Sequence, residues 1–229
     1  MPSKPPGGSP DYPDELARLP HGRHGLPTEF VEHNQRERLI AAFIELAGKV
    51  GYNDATITAI AAGAGVSSRT FYKYFETVED CCVAAFDLAA GQLGEVLRAA
   101  FESESEWPLQ VRAALAAAVD RFAADPPVAR LLTVEPFVAG PALAERYKAA
   151  VDQAIPYLRQ GRESGKGGED LLPDTTERGV LGAINGLVSR QVKAGRAESL
   201  PELLPDLVQF ALTPYRGASS AREVALQNH

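Results

Sequence analysis

The four histidines of this chain are His21, His24, His33 and His229, and none stands between Asn34 and Asn228. That spacing removes His-based acid–base catalysis, Ser-His-Asp chemistry and nearly every common transition-metal site from the body of the chain. Cys81 and Cys82 are adjacent, and on a helix they would point about 100° apart, so neither a disulfide framework nor a zinc site follows. No glycine-rich phosphate loop follows a strand pattern. We therefore expect no catalytic residue, no metal ligand set, no cofactor and no enzyme activity. The chemistry that remains is recognition. Ser67, Ser68, Arg69, Thr70, Tyr72 and Lys73 form one short run of hydroxyls and cations, with Thr56 and Thr58 just before it. Arg69 is the one side chain there able to make a bidentate contact with guanine.

Such a run needs a scaffold. Leu39, Ile40, Phe43, Leu46, Ala47 and Val50 recur at intervals of three and four, which makes one apolar helix face closed by Gly51. Asp54 and Thr56 are possible caps for a short helix from about Ile57 to Ala64, and Ser67 for a third running to about Phe75. Across Ile57–Tyr74, Ile60 supplies the apolar contact between the two short helices and Ala61 the small residue at their crossing. Gly65 supplies the turn, and Val66, Phe71 and Tyr74 take inward positions. These are the steric demands of a helix-turn-helix. In that arrangement the start of the third helix (Ser67, Ser68, Arg69 and Thr70) faces base edges in the major groove. Lys73 is a point charge for phosphate, and Thr56 and Thr58 offer hydroxyls and a helix N-terminus to another.

The stretch Gly51–Asp80 resembles the DNA-binding domain of the tetracycline-repressor (TetR) family. The residues that carry the resemblance are Gly51-Tyr52, Thr56-Ile57-Thr58, Ile60-Ala61, Ala64-Gly65-Val66-Ser67, Thr70-Phe71-Tyr72, Tyr74-Phe75 and Glu79-Asp80. It implies a phosphate contact from the Tyr72 hydroxyl. It also implies a helical second domain that senses a small ligand, with its last two long helices forming a four-helix dimer interface. Family members often place a lysine at the start of the fourth helix; here that position is Val78.

Charge agrees with this division. The total is −7, yet residues 1–75 hold eight Lys/Arg and eight Asp/Glu, while the rest holds 15 and 22. An acidic body is repelled by a polyanion, so phosphate binding must come from the N-terminal third. Residues 1–28 are rich in Pro and Gly and read as a flexible basic arm. Arg18, His21, Arg23 and His24 stand there, with Arg36 and Arg38 at the start of the first helix. Gly22-Arg23-His24-Gly25 has the composition of an arm that enters an A·T-rich minor groove.

The sequence predicts an all-α protein of about nine helices: a helix-turn-helix domain over 29–77, a ligand-binding and dimerisation domain over 78–215, and a polar tail over 216–229. Gly179, Gly182, Ala183 and Gly186 make a smooth helix face, and Leu203, Leu204, Leu207, Phe210 and Ala211 an apolar stripe to set against it. For a ligand, Phe86, Leu93, Trp107, Phe122, Leu132, Phe137, Tyr147 and Tyr157 are the bulk available to line a cavity. Glu135 sits in an apolar run, either facing water at a helix end or pairing with a cationic ligand. Asn185 is either a pocket hydrogen-bonder or an interface residue. With no transmembrane span and no signal-peptide core, a cytoplasmic location is expected.

The reading is a dimeric regulator, a repressor released from a palindromic operator on double-stranded DNA by a small apolar or amphipathic effector of unknown identity. The alternatives are an activator or ligand-independent regulator, and, from another class, an all-helical small-molecule-binding protein or enzyme without DNA function.

Overall fold

A computed structural model of the protein describes residues 28–164 and 172–227. Arg23, with the remainder of the expected arm, lies outside the described residues. In chain order the helices are α1 (Thr28–Val50), α2 (Ile57–Gly63), α3 (Ser68–Tyr74), α4 (Val78–Glu102), α5 (Trp107–Ala124), α6 (Pro126–Thr133), α7 (Pro141–Ser164), α8 (Thr176–Lys193), α9 (Leu204–Arg216) and α10 (Ala218–Ala225). Short 3-10 turns occupy Tyr52–Asp54, Glu135–Phe137 and Ala197–Leu203, and there is no strand among the described residues.

Local chemistry sets the boundaries. Thr56 caps α2 by accepting from Ala59 N (3.3 Å), and Ser67 caps α3 by accepting from Thr70 N (3.1 Å). Thr77 and Asp80 cap α4 reciprocally: Asp80 N donates to Thr77 Oγ1 (3.1 Å) and Thr77 N to Asp80 Oδ2 (2.8 Å). Gly65 turns the chain between α2 and α3 at φ +65°, and a Cβ there would also lie 2.7 Å from Arg38 Nη2. That guanidinium donates to Ala64 O and so satisfies the end of α2. Arg38 is thus bound to its own protein and is not a free cation at the start of α1.

Two apolar clusters support the chain. The larger joins Leu39, Ile40 and Phe43 of α1 to Ile60, Phe71 and Phe75 of the α2–α3 region, then to Phe86, Phe122, Leu131 and Leu207 of the body. The smaller gathers Phe101, Trp107, Leu158, Val208, Leu212 and Tyr215. Leu115, Ile184 and Leu204 pack against both, marking a seam between them. Cys81 and Cys82 are fully buried in the larger cluster, and burial pushes both thiols up to about 12.

The run 127–137 is not one continuous helix: it breaks at Val134, giving α6 and a separate 3-10 turn. Residues expected as a polar tail contain α10, whose Ala221, Val224 and Ala225 are buried in the smaller cluster. With α10, the described residues hold ten α-helices, in agreement with the all-α chain of about nine helices expected.

A buried polar lock joins α7, α8 and α9. Arg162 Nε donates to Glu177 Oε1 (2.6 Å), and Nη2 donates to Glu177 Oε2 (2.8 Å). Tyr215 Oη donates to the same carboxylate (3.2 Å). The bonds from Arg162 hold the Glu177 carboxyl below its usual range. A depressed folded-state value means stability that is complete above the unfolded value and lost as pH falls through the folded one. The difference in denaturation midpoint between the protein and Glu177→Gln is therefore expected to be constant near neutrality and to shrink below about pH 4. A difference that persists unchanged at pH 3 would mean the ionised pair contributes nothing.

Candidate nucleic-acid interface and the helical body

The α2–α3 pair is anchored on one side and open on the other. Ile60, Ala61 and Phe71 are fully buried, and Phe75 follows at the end of α3. Phe71 packs tilted against Phe75 at 5.6 Å between centroids and edge-on to Tyr72 at 5.9 Å. Tyr74 is half-buried and donates to Gln35 Oε1 (3.0 Å), so it fastens α3 to α1. The opposite face of α3 carries Arg69, Tyr72 and Lys73, all exposed, with Tyr72 59 % accessible. The Lys73 ammonium lies 5.5 Å from the Tyr74 ring centroid.

Thr56 and Thr58 are exposed at the start of α2, on the chain entering the motif. Ser67 is exposed and shares a hydrogen bond with Thr70 Oγ1 (3.0 Å); Ser68 and Thr70 are half-buried. Arg36 is exposed, with its guanidinium carbon 5.4 Å from the Phe75 ring centroid. The structure therefore brings Ser67, Ser68, Arg69, Thr70, Tyr72 and Lys73 onto one short helix and its cap. Arg36 stands apart, in an open groove of about 690 Å³ where α1 and α3 meet α4 and α7. Its rim includes Glu79, Asp87 and Arg146, with Val83, Ala84 and Leu88 as its apolar part.

In the body, the expected cavity residues do not converge. Phe86 and Phe122 are buried in the larger cluster, with Leu93 and Tyr147 at its edge. Trp107 is buried in the smaller cluster and donates from Nε1 to Tyr157 O (2.9 Å). Phe137 is 62 % exposed, edge-on to Tyr147. None of the expected cavity residues lines the groove beside Arg36.

Glu135 overturns both of its expected readings. It is 1 % exposed, and its partner is Arg130, whose Nε donates to Oε1 at 2.7 Å. Asn185 donates to Thr133 O (3.4 Å) at the end of α6. Sequence reasoning missed Arg130, Arg162, Glu177 and Tyr215 as polar partners; only the placement of Glu135 in an apolar run signalled a buried charge.

The expected dimer face is divided. Gly179, Gly182 and Gly186 are exposed along α8, with no atom of their own chain within 4 Å of an added Cβ. Leu187 and Phe210 are exposed as well, and Leu203 is half-buried. Leu207 is corrected: it is 0 % exposed, enclosed by its own chain, and cannot meet a partner.

An all-helical body carrying an exposed recognition helix on a two-helix motif is the architecture of a helix-turn-helix regulator. Residues 39–85 match the sequence model of the family described as bacterial regulatory proteins, tetR family, and the chain carries that family's helix-turn-helix DNA-binding domain. Among curated proteins none matches. Solved structures of TetR-family regulators share the fold. The fatty acid degradation regulator FadR from Bacillus halodurans aligns with a TM-score of 0.70 at 21 % identity, covering 78 % of this chain and 94 % of that one. FadR from Bacillus subtilis, solved in complex with stearoyl-CoA, gives 0.68 at 20 % identity, covering 77 % and 97 %. RolR, solved in complex with resorcinol, gives 0.61 at 19 % identity, covering 87 % and 97 %. Among the described residues no helix is long and apolar enough to cross a membrane.

Proposed function

We propose that two copies of this chain bind a palindromic operator as a repressor, and that a small apolar or amphipathic ligand in the helical body releases it. The observation that carries the DNA reading is α3 itself: Phe71 locks one face into the core while Arg69, Tyr72 and Lys73 are exposed on the other. Arg69 reads a base, Tyr72 and Lys73 contact phosphate, and Thr56 and Thr58 do so from the start of α2. One such helix reads few base pairs, whereas two about 34–36 Å apart read a palindrome. The glycine face of α8 with Phe210 supplies the contact between copies. For the ligand, the favoured place is the seam at Leu115, Ile184 and Leu204, where parting two apolar clusters exposes only apolar wall. The stearoyl-CoA complex of FadR and the resorcinol complex of RolR support an apolar or amphipathic class. Such a ligand must favour the DNA-incompetent state, with a coupling of about 1–3 kcal/mol.

The test is an electrophoretic shift on the DNA upstream of the chain's own coding sequence, with a salt titration. A sequence-specific complex that weakens steeply with salt is expected; its absence at about 100 mM salt overturns the operator reading. The dimer contact has its own test. Gly182→Leu is expected to yield folded monomer by sedimentation, because the added side chain meets nothing within its own chain. A Gly182→Leu dimer as tight as the parent would place the interface elsewhere.

A further inference from the structure

The end of α1 rests on α6 without clearance. A Cβ on Gly48 would lie 2.7 Å from Pro127 Cβ, and a Cβ on Gly51 would lie 3.0 Å from Arg130 Nη2. Gly51 has φ +82°, so its backbone also excludes most side chains. The next residue completes the contact: Tyr52 N donates to Glu135 Oε2 (3.4 Å), while Oε1 accepts from Arg130. From Tyr52 the 3-10 turn runs to Asp54, and Thr56 then caps α2. One buried carboxylate of the helical body thus holds the peptide that begins the helix-turn-helix. On its far side, Asn185 of α8 holds the carbonyl of Thr133, two residues before that carboxylate.

We propose that Glu135, fixed by Arg130, is a positioning residue for operator binding, setting where α2 stands beneath the recognition helix. This rests on the operator reading above. A carboxylate held by a guanidinium keeps a defined orientation, and its acceptor oxygen defines the exit path of α1. Glu135→Gln keeps the shape and an acceptor for Tyr52 N, and loses the charge-assisted bond to Arg130.

The probe is a duplex selected from a random pool by the full-length unmodified protein. Failure to select any salt-sensitive, sequence-specific duplex sinks the operator reading itself. Given a duplex, Glu135→Gln is expected to weaken the affinity of the titrated active fraction about tenfold. Arg112→Gln, which breaks the distant bond from α5 to Gln227 O and touches neither the proposed dimer contact nor the recognition helix, is expected to leave that affinity unchanged. Equal affinity for Glu135→Gln and the parent, or an equal loss for both variants, overturns the positioning role. A measurement on the unmodified protein guards against variants that do not fold. Hydrogen exchange on adding duplex is expected to slow at residues 51–56 and 130–135 as well as in α3. Protection confined to α2 and α3 overturns the proposal.

Discussion

Gly161→Ala is expected to destabilise the protein by about 2 kcal/mol, although alanine is the better helix former. In α7 the exchange would gain about 1 kcal/mol of helix propensity. Against it, the new Cβ would lie 2.8 Å from Trp107 Cζ3 and nearer still to Cζ2 and Cη2. The ring cannot slide aside, because Trp107 is buried, its Nε1 is bonded to Tyr157 O, and Tyr215 packs edge-on at 5.1 Å. Overpacking of a fixed core costs about 1–3 kcal/mol, and three close atoms place this site at the upper end. A thermal midpoint about 4–8 °C lower follows. Gly91→Ala and Gly94→Ala in α4 make the contrast: nothing lies within 4 Å of either added Cβ, so each is expected to raise the midpoint. A Gly161→Ala protein as stable as the parent would show that the Trp107 pocket yields.

The second large effect falls on recognition. Arg69→Ala is expected to cost about 1–3 kcal/mol per half-site, or roughly 5-fold to 150-fold in affinity, and to flatten the preference for one base pair. Lys73→Ala should behave differently. It would weaken all sequences alike and lower the slope of log affinity against log salt by about one for each phosphate no longer neutralised. Binding by random-pool selection and salt titration separates the two. An Arg69→Ala protein that selects the parent's duplex unchanged would move base readout to another side chain.

Much of the architecture was legible because it depends on neighbours close in sequence. The face Leu39, Ile40, Phe43 and Ala47 is buried as its spacing predicts, and Thr56, Gly65 and Ser67 cap and turn the chain where expected. What failed depends on which neighbour covers a face. The stripe of α9 predicts burial, but periodicity says nothing about whether the cover is the same chain or a partner. Leu207 and Val208 face their own core and Phe210 faces solvent. The helix α10 escaped notice because Ala221, Val224 and Ala225 are too small to form a visible stripe. Glu135 escaped because its partner, Arg130, lies five residues back across the end of α6, a break that Pro136 marks but apolar periodicity does not. The cavity residues failed for a related reason: bulk and apolarity select core residues in general, and two separate clusters share them.

The paired thiols at the start of α4 have a practical reach. With both sulfurs fully buried and their ionisation pushed up to about 12, a thiol reagent meets neither an accessible atom nor a thiolate. Modification therefore waits for the junction of α1 and α4 to open. The rate at which Cys81 and Cys82 take up label reports how often the protein opens around the start of α4, measurable in the intact protein without any introduced probe.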